Sequence, residues 1–185
     1  PLRQNVDRSF RRGIELQAGV KLIENLRWNV TATLSQNKIE QYNELLYSYD
    51  ATFSLDSIFS FDLENTDIAL SPSVIVASEL SYKPTENIEI ALLTRYIGSQ
   101  YLDNTQFKGR KLDAYLINDI RVQAIIPQKL FKEVKFQLLI NNVLGEEYSA
   151  NGYTYSYEFD GTKATENFVY PQALRNYMVG LNLKF

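Results

Sequence analysis

Tyr153, Tyr155 and Tyr157 recur at every second position, so an extended segment sets their three rings in a row on one face. Such a row can stack on a planar or apolar ligand, and it can equally form one side of a protruding hairpin. A second concentration of chemistry lies between Ile39 and Ser73. It carries Glu40, Glu44, Asp50, Asp56, Asp62, Glu64 and Asp67 together with Tyr42, Tyr47, Tyr49, Phe53, Phe59 and Phe61. Rings plus carboxylates can grip a ligand, and carboxylates alone can hold a hard cation through oxygen. A solvated acidic loop, or strands continuing into solvent, would have the same composition. Tyr101, Asp103 and Asn104 form a third polar group, followed by Lys108, Arg110 and Lys111, which suit a phosphate as well as ordinary surface charge. The candidate ligand-binding set is therefore Tyr47, Tyr49, Phe53, Tyr101, Asp103, Asn104, Tyr153, Tyr155 and Tyr157.

None of these groups makes a catalytic constellation. The 185 residues include no Cys and no His, which removes thiolate nucleophiles, Ser-His-Asp triads, Cys/His metal sites and His haem ligands. Carboxylate pairs occur, but none has the context that marks a general acid and base. The expectation is a non-enzyme with no catalytic residue, no metal site and no cofactor. A net charge of −3, spread evenly, offers no nucleic-acid surface.

The elements that must position the candidates are strands. Hydrophobic residues make up 45% of the chain, and thirteen Tyr and ten Phe stand against one Met and one Trp, a bias toward β-structure. Period two is explicit where Leu26, Trp28, Val30, Ala32 and Leu34 oppose Arg27, Asn29, Thr31, Thr33 and Ser35. The preceding stretch repeats it, with Ile14 to Leu22 opposed by Glu15, Gln17, Gly19 and Lys21. Val74 to Lys83 and Ile88 to Gly98 flank a Pro84-Thr85-Glu86-Asn87 turn. Ser78 and Thr94 interrupt their apolar faces, and Ala91 and Leu93 intrude on the polar one. A further hairpin runs from Leu112 to Ile126, turns through residues 127–129 and returns from Val134 to Asn142. Asn176 to Phe185 alternate to the end. The sum is about seven strands.

The connections alternate between short links, near residues 23–25, 84–87 and 127–133, and long ones, at roughly 39–73, 99–111 and 143–175. Short turns on one side and long loops on the other characterise outer-membrane barrels. No apolar run approaches the ~18 residues of a membrane helix, so a closed barrel is the one route across a bilayer open to these residues. With the short turns on the periplasmic side, residues 1–13 lie outside and Phe185 ends in the periplasm. Trp28, Tyr82, Phe136 and Phe185 then form an inner aromatic girdle, and Tyr96 and Tyr177 an outer one. Glu15, Lys21, Arg27, Glu79, Glu89, Arg95, Asp119, Arg121 and Lys135 look into the lumen. Seven strands do not close a barrel, so further strands are expected before Pro1, where neither a Met nor a signal peptide stands.

The ending Asn176-Tyr-Met-Val-Gly-Leu-Asn-Leu-Lys-Phe185 resembles the terminal strand by which outer-membrane proteins are recognised by the barrel assembly machinery. Tyr177, Gly180, Leu183 and Phe185 carry the match, and Met178 stands where a polar residue is common. The run Ile140-Asn-Asn-Val-Leu-Gly-Glu-Glu-Tyr148, with Tyr170-Pro-Gln-Ala-Leu-Arg-Asn176, is similar to the closing segment of TonB-dependent receptors. Ser9-Phe-Arg-Arg-Gly-Ile-Glu-Leu16 and Gln100-Tyr-Leu-Asp-Asn-Thr105 also resemble that family, especially its Bacteroidetes members. The resemblance implies an antiparallel transmembrane β-barrel of about 22 strands around a plugged lumen, of which residues 1–185 would be the C-terminal part, without plug or TonB-contacting segment.

On that resemblance the expected function is active uptake of a small nutrient, an iron chelate, a vitamin or a glycan, at the bacterial outer membrane. Its expected partners are outer-membrane lipid and lipopolysaccharide, the barrel assembly machinery, and the TonB complex through the N-terminal part. Alternation alone also describes a soluble β-sandwich or lectin-like module. A porin or a barrel enzyme is a third possibility.

Overall fold

The computed structural model describes residues 6, 8–128 and 130–185. Part of the expected outer segment 1–13, and Lys129 of the expected turn, lie outside them. All regular elements among the described residues are strands: β1 (Ser9–Ile23), β2 (Leu26–Tyr49), β3 (Leu55–Asp67), β4 (Val74–Thr85), β5 (Ile88–Ile97), β6 (Gln100–Tyr101), β7 (Lys111–Leu112), β8 (Tyr115–Ile125), β9 (Glu133–Asn141), β10 (Ser149–Phe159), β11 (Thr162–Pro171) and β12 (Asn176–Lys184).

Seven of them form a wall in the order β1-β2-β4-β5-β8-β9-β12, each antiparallel to the next. They are the seven expected from alternation. Directly paired residues share a face, so the register extends each face across the whole sheet. One row runs Val20, Trp28, Leu80, Leu92, Ile120, Ile140, Tyr177. The adjacent row on the opposite face runs Lys21, Arg27, Ser81, Ala91, Arg121, Leu139, Met178. The apolar face is uncovered, with Leu16 59% and Leu181 63% exposed, whereas a water-soluble sheet buries such a surface. The other face is laced with charge. Arg121 Nη2 bonds Glu79 Oε1 and lies 3.4 Å from Glu89 Oε1, Lys83 Nζ lies 3.2 Å from Glu89 Oε2, and Arg95 lies 3.8 Å from Asp119.

The wall's connections keep the short and long alternation, but two of the three long ones are not loops. β2 runs on beyond the wall to Tyr49 and β3 returns along it, from Tyr49↔Leu55 to Lys38↔Asp67. Residues 149–171 form the hairpin β10–β11. Alternation identifies a strand by its apolar face, and these extensions place rings and hydroxyls on both faces, which hides the period. Only the β5–β8 connection stays irregular, pinched by the two-residue pair β6–β7. The most buried apolar side chains include Ile39, Leu46, Leu102 and Leu112. Three more, Ala91, Ile117 and Val134, lie in the wall strands β5, β8 and β9, so burial is shared between the wall and the hairpin end.

Candidate functional site

The hairpins assemble a second, smaller sheet in the order β3-β2-β10-β11. β10 joins β2 in parallel through three pairs, Tyr157↔Tyr47, Glu158↔Ser48 and Phe159↔Tyr49, and pairs antiparallel with β11. Two local devices shape its tips. Asp50 Oδ1 accepts the amides of Thr52 and Ser54 and the Thr52 hydroxyl, closing the β2–β3 turn. These bonds, the hydroxyl's first, hold the Asp50 carboxyl below the usual carboxylate range. Phe53 follows in the left-handed region (φ 60°) and packs its ring 4.5 Å from Phe159. The β10–β11 turn is Asp160-Gly161, both at positive φ, the geometry of a tight two-residue hairpin.

Period two gives the sheet two unlike faces. One carries Tyr47, Tyr49, Tyr153, Tyr155 and Tyr157 with Phe159, Phe168 and Tyr170. Tyr153 stacks on Phe168 at 4.9 Å and 13°, and Tyr155 lies 5.5 Å from Tyr157. Tyr153 and Tyr155 are about half exposed, at 47% and 48%. β2 is one strand from Leu26 to Tyr49; its register with β3 is unshifted as far as Ser48, and with β10 it is unshifted from Tyr47 through Tyr49. Tyr47 and Tyr49 therefore continue the face that carries Arg27, Asn29 and Thr31 in the wall. Tyr155 and Tyr157 hold their protons more firmly than a free phenol. Tyr155 is raised above its ordinary value chiefly by a hydrogen bond with Tyr49, and Tyr157 chiefly by the Glu166 carboxylate, whose Oε1 accepts its hydroxyl at 3.3 Å. Neutral phenols both donate and accept hydrogen bonds, so the row offers stacking surfaces with polar rims.

The opposite face carries Tyr42, Glu44, Leu46, Phe61 and Glu158, and the β5–β8 connection is seated on it. Arg110 Nη1 donates to Glu44 Oε1 at 2.6 Å, Asp103 Oδ2 at 2.7 Å and Thr105 Oγ1 at 3.2 Å. Asn167 Nδ2 donates to Gly109 O at 2.6 Å, and Lys163 Nζ sits over the rings of Phe61 and Phe107. At Gly152 a side chain would meet Phe168 O at 2.6 Å and Leu102 Cδ2 at 2.9 Å.

The sequence candidates thus fall into two places. Tyr47, Tyr49, Tyr153, Tyr155 and Tyr157 share one face, with Phe53 at its edge. Tyr101, Asp103 and Asn104 lie in the connection on the far side and serve as fasteners: Asp103 binds Arg110, Asn104 Oδ1 accepts the Ala69 amide at 2.8 Å, and Tyr101 O accepts that of Leu70. Of Lys108, Arg110 and Lys111, which suited a phosphate as well as ordinary surface charge, Arg110 fits neither reading, because it is buried and committed to two carboxylates. Phe159, Phe168 and Tyr170 were not anticipated. Their signal was the Asp160-Gly161 pair, which makes 153–159 and 162–170 one hairpin. Of the terminal group, Tyr177 and Leu183 are exposed on the apolar face of β12, Gly180 lies on its other face, and Phe185 follows the strand with its ring exposed. Among the described residues β12 pairs only with β9, and Phe185 meets Phe131 edge-on at 5.0 Å.

No family model and no curated protein matches the chain. Solved structures do. The siderophore receptor PiuA from Acinetobacter baumannii is similar with a TM-score of 0.68 and 16% identity, over 96% of this chain and 22% of that one. The ferric-catecholate import receptor Fiu from E. coli K12, in its open form, is similar with a TM-score of 0.58 and 14% identity, over 94% and 20%. Its closed form gives 0.50 and 15%, over 99% and 29%. The chain spans between about a fifth and a third of these structures' length. At such identities the likeness shows the fold: an all-β, antiparallel segment of barrel wall with its hairpins.

Proposed function

We infer that residues 1–185 are the C-terminal part of an outer-membrane β-barrel receptor of the TonB-dependent type, working in active import of a small nutrient rather than in catalysis. The observation that carries this is the two-faced wall. Across seven strands one face is apolar and uncovered, which suits lipid, and the other is charged, which suits a water-filled or plugged lumen. A β-sandwich would cover the first face, and among the described residues nothing does. Tyrosines at the long-hairpin end continue the lumen side, where a ligand arriving from outside would meet them. The β2–β10 face, with Tyr47, Tyr49, Phe53, Tyr153, Tyr155 and Tyr157, is the proposed contact surface. The names of the similar structures favour an iron chelate among nutrients. The two edge strands, β1 and β12, leave N–H and C=O groups to be paired by further strands of the same barrel. The TonB complex would act on segments outside residues 1–185, and the assembly machinery on β12.

The test uses the full-length protein. Heat-modifiable migration, detergent dependence and fractionation with the outer membrane are expected, as is ferric-chelate binding that Tyr155→Ala with Tyr157→Ala weakens about tenfold. A stable, detergent-free monomer would overturn the barrel. Chelate binding indifferent to the tyrosines would overturn the proposed surface.

A further inference from the structure

A gap opens in the sheet where β3 ends and β4 begins. β2 pairs with β3 as far as Lys38↔Asp67 and with β4 as far as Leu34↔Val74, so its edge between these pairs faces the connection 68–73. Two bonds tie that connection to the edge: Ser35 N donates to Ser73 O at 2.8 Å, and Ile68 N donates to Asn37 O at 3.1 Å. In an antiparallel strand the N–H and C=O of one residue point to the same side, so Ser35 O and Asn37 N face the gap as well. Neither has a partner among the described residues. A cavity of about 310 Å³ lies here, lined by Asn37 and Lys38 of β2, Ser73 of the connection, and Gln100, Tyr101 and Lys111 of the β6–β7 pair.

The lining leaves both acceptors and a cation unmet. Asn37 and Gln100 are 9% and 7% exposed, and the carboxamide of each is half used. Asn37 Nδ2 donates to Ser35 Oγ at 3.0 Å and Gln100 Nε2 to Ala150 O at 3.2 Å, while Asn37 Oδ1 and Gln100 Oε1 accept no bond among the described residues. With Ser35 O they make three acceptors in want of donors. Lys38 is neutralised by Asp67 Oδ1 at 2.7 Å, but Lys111 has no carboxylate partner among the described residues and lies 5.6 Å over the Tyr101 ring. A free cation finds no ligand here, because Asp67 is the one carboxylate of the lining and its second oxygen accepts Gln106 Nε2 at 2.8 Å. A bare sulfate satisfies Lys111 and donates nothing to the three acceptors. A hydroxylated carboxylate meets both demands, and the volume, at the small end of ligand pockets, suits one unit of sugar size. Water, about ten molecules at liquid density, is the competing occupant.

We propose that the gap between β3 and β4 is a binding site for a hydroxylated carboxylate of the sugar-acid type, whose hydroxyls donate to Asn37 Oδ1 and Gln100 Oε1 and whose carboxylate meets Lys111. It shares no residue with the tyrosine face and goes beyond the import reading. The test is calorimetric titration of the full-length protein with D-glucuronate, D-glucose and sulfate. Glucuronate is expected to bind about fivefold or more tightly than glucose, which lacks the charge, and than sulfate, which lacks the donors, fivefold being the worth of one hydrogen bond. Lys111→Gln, a change at an exposed position, is expected to erase the preference over glucose. Gln100→Leu is expected to weaken glucuronate about fivefold. No binding of any of the three means that the cavity holds water alone and overturns the site, as does glucuronate binding unchanged in both variants. Sulfate binding as tight as glucuronate overturns the hydroxylated class. Heat-modifiable migration of the same samples reports on the outer-membrane reading separately.

Discussion

Arg110 and Glu44, sixty-six residues apart in sequence, meet at 2.6 Å, and the Arg110 side chain is 2% exposed. Glu44 belongs to the extension of β2 and Arg110 to the β5–β8 connection, so the ion pair joins elements that share no backbone pairing. Asp103 at 2.7 Å completes a charge triad, and the Phe107 ring lies 5.5 Å from the guanidinium. A buried cation with two carboxylates is costly to break from one side, because removing either sign strands the other. The irregular connection is thereby fastened to the extension of β2.

Arg110→Ala is expected to release residues 98–112 from β2, at a local cost of about 2–3 kcal/mol after allowance for the part-exposed carboxylates. Amide exchange in full-length protein should rise there and in residues 40–48, and stay unchanged in β8 and β9. Uniform protection in the variant would show that the triad holds nothing.

Tyr42 lends the same cluster a pH dependence. Burial first, then the charges of Asp103 and Glu44, raise its phenol above the ordinary 10.0, against the opposing pull of Arg110. The folded value exceeds the unfolded one. Its stabilising contribution is therefore complete below about pH 10 and is lost as pH rises through the raised value. With a fluorophore at Phe53→Cys, melting of the hairpins should weaken at alkaline pH in the parent and less so in Tyr42→Phe. An identical profile in both would remove Tyr42 from the account.

The wall was legible because each of its strands keeps one apolar face, and period two records this residue by residue, so all seven strands and both faces could be read off the chain. Even the exceptions at Ser78 and Thr94 were visible, though not their partners Trp28 and Asn118, since nothing in one strand names the residue opposite it. The hairpins were less legible. One face of the extended β2 packs under the β5–β8 connection, where burial comes from tertiary contact, so Gln41, Asn43 and Ser48 occur where a wall strand would alternate.

The site was half legible for the same reason. Alternation put Tyr153, Tyr155 and Tyr157 on one face, but their nearness to Tyr47 and Tyr49 depends on the parallel β2–β10 seam, a pairing between segments more than a hundred residues apart. Arg110 read as surface charge because burial is a tertiary property. Its two carboxylates stand seven and sixty-six residues away, and no spacing rule links them.

Gly152 tests whether the β10–β11 hairpin is seated on the β5–β8 connection by close packing. Replacing it with Val would drive a side chain into Phe168 O and Leu102, and the first of these is backbone that cannot swing aside. Proteolysis within residues 149–171 should accelerate several-fold, and ligand contact through the tyrosine row should fall with it. Adding Leu102→Ala relieves only the side-chain clash, so at most partial recovery is expected. Full recovery would place the constraint in Leu102 alone.

Phe185 separates stability from assembly. Its ring is 79% exposed and touches Phe131 by one edge, so in water it would bury little area, and its loss should change detergent refolding by less than about 1 kcal/mol. The backbone of its neighbour contributes more, since Lys184 O accepts the Lys132 amide at 2.8 Å, and that bond survives deletion of Phe185. Yet the ring ends the apolar row Tyr177, Val179, Leu181, Leu183 on an edge strand, the surface an assembly factor would grasp. Deleting Phe185 from the full-length protein should therefore cut the heat-modifiable amount in the outer membrane several-fold while leaving refolding of the purified protein nearly intact. A parallel loss in both measurements would make Phe185 structural, and no loss in either would end its proposed role as a signal.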